Sequence, residues 1–313
     1  MKNFYQLILL LAFSLLSQAV SAQYATYLTV AKNGSGDYTS IQEAINNTKS
    51  FPDQPITIFI KKGVYEEKVR VYAWNTNLTL EGEDRENTII TWDDHFKKID
   101  KGRNSTFLTA TLELEANDCT IKNLTIRNSA GPVGQAIALT VSGDRCVVEN
   151  CSILGHQDTL YCTGEGNRHY FRDCHIEGTT DFIFGNATAV FEKCTIHSLS
   201  NSFVTAASTT EHQPYGFVFL NCSLTAAEGV NECYLGRPWR AYAKTVFISC
   251  IYGPHILPAG WDNWSSTDNE RTAYYAEYAP NEDLSTRVGW AKRLSRKDLK
   301  KYTSSKIFNG WTP

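Results

Sequence analysis

Two stretches of the chain end on an aspartate after the same run of residues. Residues 151–158 read CSILGHQD and residues 174–181 read CHIEGTTD, both of the form C-x-I-x-G-x-x-D. Asp158 and Asp181 are therefore equivalent positions of a repeat, and Gln157 and Gln135 stand close to the same spacing. Two carboxylates held close together do not both ionise easily, so their proton affinities diverge. That divergence lets one act as an acid while the other acts as a nucleophile. Asp181 is followed directly by Phe182, Ile183 and Phe184. A carboxylate in apolar company loses hydration at a cost of several kcal/mol unless something pairs with it. The bland reading is a ladder of structural aspartates at turns, open to calcium. The neighbouring amides and the aromatic flank of Tyr161, Phe182 and Phe184 favour a chemical site.

The elements that would position this pair form a repeat. Six strings align: CTIKNLTI (119–126), CVVENCSI (146–153), HYFRDCHI (169–176), AVFEKCTI (189–196), FVFLNCSL (217–224) and TVFISCIY (245–252). Apolar and polar residues alternate in each, the period of a strand with one buried face. A strand recurring at this interval means a solenoid, in which each coil buries its apolar face only against its neighbours. The spacing predicts an all-β, right-handed parallel β-helix. Its sixth column, Leu124, Cys151, Cys174, Cys194, Cys222 and Cys250, becomes an interior ladder of small apolar groups. Free cysteine packs as a small hydrophobe, which accounts for most of the nine cysteines without bridges. No C-x₂-C pair suggests zinc.

The ends read as caps. DYTSIQEAINNTK places Ile41, Ala44 and Ile45 at helical spacing behind Ser40, with Glu43 completing a capping box. This short helix closes the N-terminal end, where the sheet edge needs cover. SRKDLKKYT, residues 295–303, predicts a C-terminal helical segment along the side of the barrel. Residues 1–22 have the form of a secretory signal peptide: Lys2, an apolar run too short to span a bilayer, and the small residues Val20-Ser21-Ala22. Residues 23–313 are then one catalytic domain, with no later membrane segment. The formal net charge of −3 argues against a nucleic-acid binder. The basic residues between Lys292 and Lys306 read as a solvated face.

Six motifs in order, GVYEEKV (63–69), TF (106–107), QAIAL (135–139), GHQDTLY (155–161), DFIFG (181–185) and LGRPW (235–239), resemble those of the pectin methylesterase (pectinesterase) family. They span most of the mature chain, and the set resembles the single-domain, secreted members, a family of right-handed parallel β-helix esterases. The resemblance implies hydrolysis of C6 methyl esters of polygalacturonate to pectate and methanol. Asp181 would be the nucleophile that forms an acyl-enzyme anhydride. Asp158 would be the general acid that protonates methanol and then the base that activates water. Gln157 and Gln135 would stabilise the oxyanion, and Arg237 would orient Asp181. Thr106, Gln135, Phe184, Arg237 and Trp239 would contact the sugar, with Trp239 as a platform. No cofactor and no metal are implied; the partner is methyl-esterified homogalacturonan, and the protein is expected to be a secreted monomer, extracellular or periplasmic.

Each role has its own physical reason. An ionised nucleophile beside phenylalanines needs a fixed cation, and arginine supplies one as a planar fork. An amide donates to an oxyanion without competing as a base, at about 3 kcal/mol per donor. Flat sugar faces stack on aromatic rings. Gly63, Tyr65 and Glu66 read as structural, and GEG at 164–166 as a turn. His156 does not build a serine triad, because no G-x-S-x-G is present. Two other readings compete: another pectin-active β-helix enzyme (a lyase or polygalacturonase), and a carbohydrate-binding solenoid without turnover. Aspartates with glutamines and one arginine fit ester cleavage better than either.

Overall fold

The computed structural model describes residues 24–265 and 267–313. The signal-peptide segment, residues 1–22, lies outside them. The chain winds into a parallel β-helix whose strands form three parallel sheets of 11, 7 and 8 strands. One coil contributes Cys146–Glu149 to the 11-stranded sheet, Ser152–Leu154 to the 8-stranded sheet and Leu160–Cys162 to the 7-stranded sheet. The next repeats the order with Arg168–Arg172, His175–Gly178 and Ile183–Gly185.

The registers are those of the aligned strings. Cys146 pairs with His169, His169 with Ala189, Ala189 with Phe217, and Phe217 with Thr245. Like stacks on like in the interior. Phe171, Phe191, Phe219 and Phe247 stack in sequence at ring-centroid distances of 4.8, 4.5 and 4.2 Å. Ile90, Ile126, Ile153, Ile176 and Ile196 continue a second ladder on the 8-stranded sheet. All nine cysteines are buried and unbridged, so the sixth column is a thiol ladder.

The fifth column of the strings makes the corner between two sheets. Asn123, Asn150, Asp173, Lys193, Asn221 and Ser249 all have positive φ, between 49° and 58°. Asn and Asp tolerate this left-handed region better than other side chains, which explains their frequency there. Asn150 Nδ2 donates to Asn123 Oδ1 one coil below, at 2.9 Å.

The N-terminal cap is the helix Ile41–Asn46, with Ile41, Ala44 and Ile45 buried and Ser40 accepting from the Glu43 amide. The carboxylate at this cap comes from a different residue, and it binds the first-turn amides rather than the Ser40 amide. Glu67, from the neighbouring coil, accepts from Ser40 Oγ and from the amides of Ile41 and Gln42. Its carboxylate serves three donors at once at the helix N-terminus.

The C-terminal segment departs from the expected helix over 295–303. Asp298 accepts from the Ser295 amide and hydroxyl, which tightens the turn into a 3₁₀ helix at Asp298–Lys301. The α-helix follows at Ser304–Ile307. Ile307 and Phe308 pack on Tyr170, Val190, Val218 and Val246, so the segment does lie along the outside of the 11-stranded sheet. The C-terminal end of the barrel is closed instead by Trp261, Tyr275 and Trp290. Behind them Glu277, 2 % exposed, takes Trp261 Nε1 and the Arg287 guanidinium. Among the described residues no helix is long and apolar enough to cross a membrane.

Candidate active site

The two C-x-I-x-G-x-x-D strings each run through a strand of the 8-stranded sheet and turn into the 7-stranded sheet. The turn is tight. A Cβ on Gly178 would lie 2.2 Å from the Phe182 Cβ, and one on Gly155 would lie 2.7 Å from Thr159 Oγ1. Glycine lets the chain fold back on itself there. Asp158 and Asp181 follow at the corner with φ of 64° and 51°. Both are held in the left-handed region, which turns their side chains outward while the next residue, Thr159 or Phe182, points in. The Asp158 amide donates to Thr180 O and the Leu160 amide to Phe182 O, so the two aspartates occupy adjacent rungs. Adjacent rungs are about 4.8 Å apart.

Gln135 lies opposite Gln157 rather than beneath Asp158. Leu139 nevertheless pairs with Leu160, so the offset between these coils shortens by one residue. The extra residue lies on the Gln135 coil, where the Ala138 and Leu139 amides both donate to Thr159 O, a bulge. The result places two carboxamides side by side, and neither side chain bonds another described residue.

Arg237 belongs to strand Tyr234–Pro238, two coils beyond Asp181. Its Nε donates to Asp181 Oδ1 at 2.9 Å and its Nη2 to Oδ2 at 2.7 Å. This is the bidentate fork that fixes both position and plane. The guanidinium carbon lies 3.8 Å from the Phe203 ring centroid and 4.0 Å from that of Trp264. Two rings therefore sandwich the guanidinium. The sequence reading missed both: Phe203 sits in a strand with no motif around it, and Trp264 comes from an irregular segment.

Burial pushes the Asp158 carboxyl well above the ordinary carboxylate range; the charge of Asp181 adds to this and Arg237 opposes it. Burial raises Asp181 as well, with Asp262 contributing, but the Arg237 fork pulls against the rise through hydrogen bonds and charge. Asp181 is 7 % exposed and is the less strongly raised of the two. Of the two, Asp158 is thus the better holder of a proton and Asp181 the better carboxylate.

A cleft of about 510 Å³ opens over these groups. Asp158, Asp181, Gln135, Gln157 and Arg237 all face it, with Phe184, Thr106 and Trp239. Thr106 arrives on the 3₁₀ helix Gly102–Leu108, which also brings Arg103, Asn104 and Phe107. Phe184 is only 4 % exposed and stacks on Tyr161 at 4.5 Å, so it forms floor rather than a free platform. Trp239 is half-buried at the rim, edge-on to Phe184 at 6.0 Å, with the Arg240 guanidinium carbon 4.7 Å from its ring centroid. His156 does not line this cleft; its backbone carbonyl accepts from Thr179 N and Thr159 Oγ1 in the corner turn.

A family model described as Pectinesterase matches residues 27–311. Putative pectinesterase 11 of Arabidopsis thaliana is 37 % identical over 91 % of this chain and 80 % of its own length. Among solved structures, pectin methylesterase from carrot superposes with a TM-score of 0.84 at 33 % identity, covering 90 % of this chain and 93 % of that one. A pectin methylesterase in complex with a hexasaccharide superposes with a TM-score of 0.80 at 30 % identity, covering 93 % and 98 %.

Proposed function

Because the chain belongs to the pectinesterase family and is a carboxylic ester hydrolase of pectin, we propose that Asp181 and Asp158 divide its chemistry as nucleophile and general acid. The observation that carries this reading is the bidentate Arg237–Asp181 pair beside a second, more strongly raised carboxyl in one cleft.

The ester of a galacturonate unit enters with its C6 carbonyl carbon over Asp181. An Asp181 oxygen adds to that carbon, and the carbonyl electrons move to the oxyanion. The Gln157 and Gln135 amides donate to it, each worth about 3 kcal/mol of transition-state stabilisation. Collapse expels the methoxy oxygen, which takes its proton from Asp158 and leaves as methanol. The products of this half are an Asp181 anhydride and an ionised Asp158. Asp158 then takes a proton from water, and the hydroxyl attacks the anhydride at C6. The bond from C6 to the Asp181 oxygen breaks, Asp181 returns as a carboxylate to the Arg237 fork, and the sugar departs as the acid, giving its proton to solvent.

The substrate is methyl-esterified homogalacturonan, in keeping with the sugar-bound relative. Trp239 and Thr106 flank the reacting unit and hold its face. The protein acts outside the cytoplasm after removal of residues 1–22, a reading supported by the apolar run and the small residues Val20-Ser21-Ala22.

The test is methanol release from highly methylated pectin, measured with chain length. The wild-type protein should release methanol without shortening the polymer. Asp181→Ala should abolish release while the protein stays folded. Methanol at a near-wild-type rate from Asp181→Ala would remove the nucleophile from this scheme.

A further inference from the structure

The outer face of the 7-stranded sheet extends well beyond the cleft. One outward row is fixed by successive amide-to-carbonyl bonds: Glu115 to Val71, Ser142 to Leu114, Thr163 to Val141, Ser208 to Gly185 and Trp239 to Ala207. Its catalytic end is Trp239, with Arg240 over the ring. Its far end is Tyr72, with Arg70 over the ring at 5.3 Å. Between them the row carries Glu115 and then Ser142, Thr163, Asn186 and Ser208, all partly exposed and polar. The row spans six inter-strand steps of the sheet, about 29 Å.

Tyr72 does not stand alone. The Trp74 ring stacks on it at 4.8 Å with 7° between planes, and Trp74 is 45 % exposed. The Phe51 amide donates to Trp74 O at 2.7 Å, anchoring the turn that presents the ring. A coplanar aromatic pair left open at the surface offers the flat apolar face that sugar rings stack against.

We propose that this row is a second carbohydrate-binding track, ending on Tyr72 and Trp74, for the distal part of the polymer whose reacting unit sits in the cleft. The proposal rests on the reading of the substrate as methyl-esterified galacturonan. The track is continuous with the cleft through Trp239, which borders both. Its charge selects the occupant. Arg70 is committed to Glu115 and Glu113, the latter at 3.6 Å, so the far end offers no spare cation to a polyanion. It favours neutral, esterified sugars over pectate, so a strand should loosen from it as demethylation proceeds.

The experiment uses the full protein and two substrates: long, highly methylated pectin, and a methylated oligogalacturonide too short to bridge the row. Trp74→Ala should raise KM for the long polymer about three- to tenfold and leave both kinetic constants for the short one unchanged. Trp74→Phe, which keeps a flat ring, should restore most of the loss. An unchanged KM on long pectin, or an equal rise on both substrates, would overturn the track. A binding arm uses Asp181→Asn with and without Trp74→Ala. The added change should weaken binding of esterified pectin and leave pectate binding as it was; an equal loss on pectate would refute the charge argument. A wild-type protein that released no methanol from either substrate would defeat the esterase reading instead, and the binding arm would still decide the track.

Discussion

Arg237 reaches Asp181 by lying over the ring of Phe203, which occupies the rung between them. The Asp181 amide donates to Phe203 O, and Phe203 pairs in turn with Tyr234 of the strand that carries Arg237. Trp264 covers the other face of the guanidinium. The fork is thus held in plane by rings as well as by the carboxylate, and cation–π contacts of this kind are worth about 0.5–2 kcal/mol.

Loosening that sandwich should cost rate rather than affinity. Phe203→Leu is expected to lower kcat by about threefold to thirtyfold, the fold-change equivalent to the contact's energy. It should also move the acid limb of the pH–rate profile upward, because a wandering Arg237 no longer opposes the burial of Asp181. Phe203→Tyr should restore both. A change confined to KM, with the acid limb in place, would mean the ring serves only the substrate.

The pH profile of kcat/KM should be bell-shaped. As the proposed nucleophile Asp181 must be ionised, and its carboxyl is raised above 3.8, so activity is lost on the acid side from a point above pH 3.8. Asp158 must be protonated to release methanol, and its carboxyl lies well above the ordinary range, so the alkaline limb follows its deprotonation. A rate that stayed level down to pH 3.8 would contradict the nucleophile assignment.

The same raised carboxyl has a cost in stability. Asp158 holds its proton more tightly folded than unfolded, so the fold loses stability as pH rises from 3.8 through the folded value. Asp158→Asn cannot ionise and escapes that loss. Thermal melts should show the variant more stable than wild type at neutral pH, with the gap closing below pH 3.8. It should also have lost methanol release. A gap of the same size at both pH values would exclude ionisation as its cause.

The thiol ladder makes a separate prediction. Burial raises Cys119 to about 12 and pushes Cys146, Cys151 and Cys162 well above the ordinary thiol value; at Cys222 burial is outweighed by hydrogen bonds with Cys194 and Cys250, which lower it, but its sulfur is shut off from reagent like the rest. Thiolates are the reactive form. A thiol reagent at neutral pH should label none of the nine cysteines in the native protein and all nine after denaturation. Any thiol labelled without unfolding would show a break in the ladder.

Much of this architecture could be read from the chain. Alternation within each string and recurrence between strings are local properties, and parallel stacking keeps them: Val148 lies over Ile121 and Phe171 over Phe191, as the alignment requires. The same alignment puts Asp158 and Asp181 on neighbouring rungs, because equal run lengths from Cys151 and Cys174 make equal corners. Gln135 sits opposite Gln157 and not Asp158 because this coil pair is offset by 22 residues there rather than 23, and the bulge at Ala138–Leu139 shifts it once more; backbone bulges leave no side-chain period to count. Glu67 replaced Glu43 at the helix cap for a related reason: only the coil's path decides which carboxylate arrives there.

The site needed the folded chain. Arg237 is 56 residues from Asp181, and its motif named it without showing how it could reach. That reach depends on a ring in the intervening coil and on Trp264, delivered by a segment with no repeat and no periodicity. Thr106 and its 3₁₀ helix arrive the same way. Strands carry their partners in their own pattern, since each residue's neighbour is set by a constant coil length. Loops have no such constant, so the groups they bring to the cleft are decided by packing alone.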